Sequence, residues 1–142
     1  MKLFLDTSAI FKLYHQEKGS SAIESIFTNN TVSAIVLSEF TKIEFHSASW
    51  KKVRIAEITA SDAKRIISVF NKDVLQYQFI HADTIITNTA KELVDKYGMQ
   101  GLRTLDSIQL ATAISLKELC GLFVTTDKLL NSFFQQESLP VL

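Results

Sequence analysis

Residues 1–10 read MKLFLDTSAI. An apolar run ends abruptly on a carboxylate, Asp6, and two hydroxyls follow, Thr7 and Ser8. Outward from this joint, apolar strand-like runs alternate with helical patterns, which points to βα units and a parallel sheet. The strand candidates are Lys2–Leu5, Thr31–Leu37, Val74–Ile80 and Leu122–Thr125, with a further short candidate at Pro140–Leu142. Helices are expected between them. Ala22, Ile23, Ile26 and Phe27 make one stripe, with Ser20 or Ser21 as N-cap. Ser61 is expected to cap a helix that buries Ile66, Ile67 and Phe70. Ile86, Ala90, Leu93, Val94 and Tyr97 form another face, and Gly98 stands where a terminating glycine belongs. Asp106–Cys120 is apolar nearly all round, so that helix is expected to be central and buried.

The bulk properties suit one domain over residues 1–142. A chain of 142 residues is long enough to bury a core. It is 46% hydrophobic with one proline and four glycines, a composition that argues against disorder. Fifteen basic residues balance fifteen acidic ones, so nucleic acid is not gripped by bulk charge, although a local basic patch beside an acidic site remains compatible. Cys120 is the only cysteine, which leaves no internal disulfide and no cysteine cluster for zinc and fits a reducing cytoplasm. Asp6 interrupts the only N-terminal apolar run that could resemble a signal peptide, and no run reaches the length of a membrane span.

Four carboxylates fall at joints of this scheme. Asp6 ends the first strand. Glu44 lies one turn into the helix after the second strand. Asp106 opens the buried helix, and Asp127 follows the fourth strand. Ligand sites of open parallel sheets form beyond the carboxyl ends of the strands, so all four acids should meet at one edge. Carboxylates gathered closely repel, and they either take up protons or share a cation. An all-oxygen set without histidine or cysteine selects a hard ion, Mg²⁺ or Mn²⁺, of the kind that activates water for phosphodiester cleavage. Each acid also has an ordinary structural use. Asp6 can cap the helix near Ser8, Asp106 can favour a helix start, Asp127 can open a turn, and Glu44 can be a surface residue.

Four segments together resemble the PIN-domain ribonucleases, in particular the VapC group of toxins. LFLDTSAIFKLY (residues 3–14) resembles the first PIN motif, with Asp6 as its acid and Thr7 and Ser8 as supporting hydroxyls. LSEFTKIEFHSASWKK (37–52) resembles the second, with Glu44 as its acid. GLRTLDSIQLATAI (101–114) resembles the third through Asp106, and FVTTDKLL (123–130) the fourth through Asp127, with Thr125 as a supporting hydroxyl. Glu39 rivals Glu44, but Thr41 and Ser47–Ala48 place Glu44 in the better family context. Gln109 stands where some relatives carry histidine, a change expected to alter substrate contacts. The resemblance implies a three-layer α/β fold with helices on both faces of a twisted parallel sheet. It further implies Mg²⁺- or Mn²⁺-dependent RNA hydrolysis leaving 3′-hydroxyl and 5′-phosphate ends, a homodimer, and a cognate antitoxin that occludes the site.

Arg103 and Lys128, beside Asp106 and Asp127, are candidates for RNA contact. So is the run Lys51, Lys52 and Arg54, which equally suits a solvated helix end. His15, His46 and His81 are isolated and read as structural or surface residues. Trp50 and Phe45 are candidates for a dimer or antitoxin surface. Two other readings compete with a nuclease. One is a PIN-like module that binds RNA or protein without cutting. The other is a haloacid-dehalogenase-like phosphatase with Asp6 as nucleophile, although Ser8 occupies the position where such enzymes usually carry a second aspartate.

Overall fold

In the computed structural model, which describes residues 1–142, the strand β1 (Lys2–Leu5) decides the layering. Successive side chains of a strand point to opposite faces. Leu3 and Leu5 enter one buried cluster and Phe4 the other. β1 lies inside a four-stranded sheet of order β3-β2-β1-β4, formed with β2 (Ala34–Ser38), β3 (Gln78–Ile80) and β4 (Leu122–Val124). Every pairing is parallel, with Phe4 opposite Val36 on one side and Phe123 on the other.

Helices cover both faces. One face carries α1 (Thr7–Phe11), α2 (Ser20–Asn29), α3 (Thr41–Arg54) and α4 (Ala60–Asp73), which bury Ile10, Ile23, Phe45 and Phe70 with Leu3 and Leu5. The other carries α5 (Thr84–Tyr97), α6 (Thr104–Ser115) and α7 (Lys128–Gln136), which bury Leu93, Leu110 and Phe134 with Phe4 and Phe123. This is the expected three-layer α/β architecture. α6 carries an unbroken buried run from Gln109 to Ala113 at its centre, while its ends at Thr104, Leu105 and Ser115 are exposed.

Several boundaries differ from the sequence expectation. The second strand begins at Ala34, where its partner Lys2 begins, instead of at Thr31. Val74–Gln76 forms a 3₁₀ turn that leaves Leu75 95% exposed, so only Gln78–Ile80 joins the sheet. Pro140–Leu142 is not a strand; proline has no N–H for a ladder, and this segment offers β4 a single bond, Phe123 N–H to the Pro140 carbonyl at 2.8 Å. α6 stops at Ser115 and does not reach Cys120; Leu119, beyond its end, is 63% exposed.

Caps shift as well. Gly19, at φ +94°, precedes α2, while the Ser20 hydroxyl turns back to the carbonyls of Lys12 and His15. Thr59 caps α4 through a reciprocal box with Asp62, two residues before the expected Ser61. Gly98 stays right-handed and leads into a 3₁₀ turn; the left-handed residue is Gly101, at φ +102°.

Phe45 is not a surface residue. It is fully buried and stacks on Phe70 with centroids 3.9 Å apart, joining α3 to α4. Trp50 is 37% exposed and lines a shallow groove between α3 and α4 with His46, Ile67 and Asn71. Deleting a buried aromatic ring leaves a cavity as well as losing transfer energy. Phe45→Ala should therefore destabilise the protein by about 3–5 kcal/mol in urea unfolding. A loss under about 1 kcal/mol would place Phe45 at the surface after all.

Candidate active site

The sheet order creates the site. From β1 the chain continues to β2 and β3 on one side, while β4 lies on the other, so the crevice beyond the carboxyl ends of β1 and β4 is the topological switch point. Asp6 leaves β1 at this crevice, its N–H still bonded to the Val124 carbonyl at 3.1 Å. It is 4% exposed. Its Oδ1 accepts from the Ala9 N–H at 2.9 Å and the Ser8 hydroxyl at 2.8 Å, and its Oδ2 accepts from the Thr125 hydroxyl at 2.7 Å. The ordinary structural use and the site use thus coincide, because the same carboxylate caps α1.

Asp6, Glu44, Asp106 and Asp127 all line one pocket of about 680 Å³, together with Thr7, Ser8 and Gln109. Glu44 and Asp106 stand in the first turns of α3 and α6, where negative charge is favoured by the helix N-terminus. Asp127 caps α7 by accepting from the Leu130 N–H at 2.7 Å, and it is exposed. Glu39 points elsewhere. Its N–H extends the pairing to β3 through the Ile80 carbonyl, and its carboxylate meets His81 Nδ1 at 2.6 Å outside the pocket.

The acids form a chain of like charges. Burial raises Asp6 to about 7, against hydrogen bonds from Thr125, Ser8 and Ala9, with Glu44 adding repulsion. Burial also raises Glu44, opposed by hydrogen bonds, and Asp106 adds repulsion there. Asp106 is raised by burial and then by Asp127. Each member of the series feels the next. No three of them are drawn together tightly enough to hold an ion as they stand, so convergence on one point is looser than expected. The donor set nevertheless fits a hard cation. It is all oxygen, it retains charge that burial and repulsion disfavour, and Glu44 makes a single well-formed hydrogen bond, from Gln109 to its Oε1.

The supporting hydroxyls are resolved individually. Ser8 and Thr125 hold Asp6, while Thr7 turns away from it and donates to the Thr41 hydroxyl at 3.1 Å. Of the expected RNA-binding cations, Lys51 and Lys52 line the pocket, whereas Arg54, Arg103 and Lys128 do not. Arg103 is exposed, and its charge only favours the ionised form of Asp106. Lys12 and Glu17, not singled out from the sequence, line the same pocket beside Lys52. Glu17 accepts from Lys12 at 2.8 Å and from Lys52 at 2.7 Å. Gln109 does not face outward to substrate; it is 1% exposed and donates to Glu44 Oε1 at 2.8 Å. Its i, i+3 spacing from Asp106 puts both on one face of α6, the one sequence signal that could have shown this.

The PIN domain family matches residues 3–133, and the chain belongs to that family. No curated protein matches the sequence. Solved structures share the fold at low identity. FitAcB from Neisseria gonorrhoeae is 14% identical with a TM-score of 0.70, covering 98% of this chain and 95% of that one. VapC20 of Mycobacterium tuberculosis, described as a sarcin-ricin loop cleaving toxin, is 12% identical with a TM-score of 0.67, covering 92% and 93%. VapBC2 from Rickettsia felis, bound to a DNA fragment from its promoter, is 16% identical with a TM-score of 0.64, covering 100% and 98%.

The raised Asp6 gives a pH signature. Its folded-state value of about 7 exceeds the ordinary carboxylate value, so the folded state holds this proton more tightly than the unfolded state. Its contribution is full below about pH 4 and is lost as pH rises through about 7. In EDTA, the wild type should therefore lose more melting temperature than Asp6→Asn between pH 5 and pH 8. Parallel melting curves for the two proteins would show instead that Asp6 ionises normally in the fold.

Proposed function

We propose that this chain is a metal-dependent endoribonuclease that acts as the toxin of a toxin–antitoxin pair in the cytoplasm. The observation that carries this reading is the desolvated Asp6 at the switch point, with Glu44, Asp106 and Asp127 lining the same pocket. These four residues would hold Mg²⁺ or Mn²⁺, which when bound supplies water activation and charge neutralisation at phosphate. Ser8 and Thr125 orient Asp6 by donating to both of its oxygens. Lys51 gives the pocket a cation outside any ion pair, suited to an RNA phosphate beside the scissile bond, whereas Lys52 is held by Glu17 and Glu57.

Membership of the PIN family and the shared fold support a nuclease. The antitoxin rests on the toxin–antitoxin complexes among the structures of like fold, which include one from Klebsiella pneumoniae. The homodimer follows from the family resemblance. Exposed Ile43, Ile55 and Leu105 rim the acidic pocket, a surface that suits an antitoxin segment carrying a cation between apolar side chains.

The looseness of the four acids favours a second reading, a module that binds RNA without cutting it. The phosphatase reading gains nothing at Asp6, since both carboxylate oxygens already accept hydrogen bonds and Ser8 stands in place of the second acid. Cleavage of total RNA with and without Mg²⁺ separates these. The nuclease cuts only with metal, and Asp6→Asn, Glu44→Gln and Asp106→Asn each lower the rate by about 100-fold or more. Glu39→Gln, outside the pocket, leaves it within about 2-fold. RNA binding with no cleavage under any divalent ion would establish the binding module instead.

Metal should also stabilise the fold. At ~100-fold excess over Kd, binding adds about 2.7 kcal/mol, which corresponds to about 8 °C for a domain of this size. Asp106→Asn should show less than half of that shift in a Mg²⁺ titration of the melting temperature. An equal shift would remove Asp106 from the site.

A further inference from the structure

Gln109 is almost fully enclosed, yet its amide oxygen Oε1 is a buried acceptor without a hydrogen-bond partner. Buried polar atoms are nearly always paired, so such an orphan at a candidate site requires an explanation. The explanation lies at the other end of the amide. Nε2 lies 2.8 Å from Glu44 Oε1, 3.2 Å from the Thr41 hydroxyl and 3.3 Å from the Thr7 hydroxyl. An amide nitrogen has two hydrogens, and here three oxygens converge on it. The reverse orientation would satisfy Oε1 by the hydroxyls but press a carbonyl oxygen against the Glu44 carboxylate at 2.8 Å. The local structure therefore leaves an acceptor unpaired in order to point a donor at Glu44.

The three contacts span three elements. Thr7 belongs to α1, Thr41 and Glu44 to α3, and Gln109 to α6, one turn beyond Asp106. Thr7 and Thr41 also bond one another at 3.1 Å, which closes the cluster. Gln109 is thus the only side chain that links the helix bearing Asp106 to Glu44. It donates to Oε1, the Thr7 hydroxyl lies beside the same carboxylate, and Oε2 makes no hydrogen bond of good geometry; Glu44 lines the pocket together with Asp6 and Asp106. An amide donates at every pH and adds no charge, whereas a lysine there would neutralise Glu44 and a carboxylate would repel it.

We propose that Gln109 is a positioning residue for the cation site: it fixes the rotamer of Glu44 through Oε1, so that Oε2 is the atom presented to a divalent ion. This rests on the ribonuclease reading above and deepens it, since it assigns the cation-facing atom and the residue that selects it. Residues that orient metal ligands typically govern affinity by 10–100-fold without touching the ion.

The test is calorimetric binding of Mg²⁺ alone, followed beside cleavage of total RNA, for wild type, Gln109→Met and Gln109→His. Methionine keeps the volume and removes the donor, while the His Nε2–H can restore it. Gln109→Met should bind Mg²⁺ about 10-fold or more weakly, with a lower kcat and an unchanged KM for RNA, and Gln109→His should recover most of both. A Gln109→Met protein that melts lower but binds Mg²⁺ as wild type does would make Gln109 a packing residue only and overturn the proposal. If Gln109→Met does not fold, the side-chain amide signals of Gln109 in wild-type protein decide by NMR. They should shift with Mg²⁺ along the calorimetric isotherm, and signals insensitive to saturating Mg²⁺ would overturn it equally. Wild type that neither binds Mg²⁺ nor cuts RNA would defeat the ribonuclease reading and this proposal with it; wild type that does both beside an unaffected Gln109→Met would defeat this proposal alone.

Discussion

A carboxylate held almost without water at the end of an inner strand is the constraint around which this molecule is arranged. Desolvating a charged carboxylate costs several kcal/mol unless hydrogen bonds or a counter-charge offset it. At Asp6 the offset comes from three directions. The Ala9 N–H belongs to the helix that Asp6 itself starts, the Ser8 hydroxyl belongs to its first turn, and the Thr125 hydroxyl arrives from the end of β4. One side chain thus joins β1, α1 and β4. The sheet must place β4 beside β1 for that to happen, and its order β3-β2-β1-β4 does so.

The remaining polarity of the pocket follows from that first burial. Asp6 feels Glu44, Glu44 feels Asp106, and Asp106 feels Asp127, so the charge is distributed along a line instead of being paired off. No lysine or arginine makes an ion pair with any of the four. Of the three lysines that line the pocket, Lys12 and Lys52 are engaged by Glu17. A structural ion network would pair the acids directly. Four acids left without a cationic partner, in a pocket whose other acids, Glu17 and Glu57, do pair with lysine, suit a site completed by an ion and a polyanion together.

The layering, and the gathering of the four acids at one pocket, were legible because each rests on a local pattern. β1 reads as a strand from three successive apolar residues, and Asp6 stands out because a charge follows them directly. Glu44 was separable from Glu39 through its motif context, and the fold explains why: Glu39 still belongs to the strand end beside His81, while Glu44 has turned inward on α3. The misread caps share one cause, which is competition between neighbouring residues of similar propensity. Thr59, Ser61, Gly19 and Ser20 can all cap, and only tertiary contacts choose among them. Phe45 looked available because α3 has a weak apolar stripe, yet its ring is fixed by Phe70, which comes from the next helix. The spacing of Gln109 from Asp106 could show that both share a face of α6, but not its bond to Glu44, which spans 65 residues; likewise Lys12 and Glu17 are near neighbours, and only Lys52, 35 residues on, closes that wall.

The central claim is that these four acids form one hard-cation site. Anomalous diffraction from a Mn²⁺-soaked crystal, recorded above the manganese absorption edge, tests it without reference to any substrate. The account predicts a single strong peak, or a close pair, in the pocket between Asp6, Glu44 and Asp106, with Asp127 at its margin. A pocket empty of anomalous density at saturating Mn²⁺, or a peak confined to surface carboxylates such as Glu39, would contradict it.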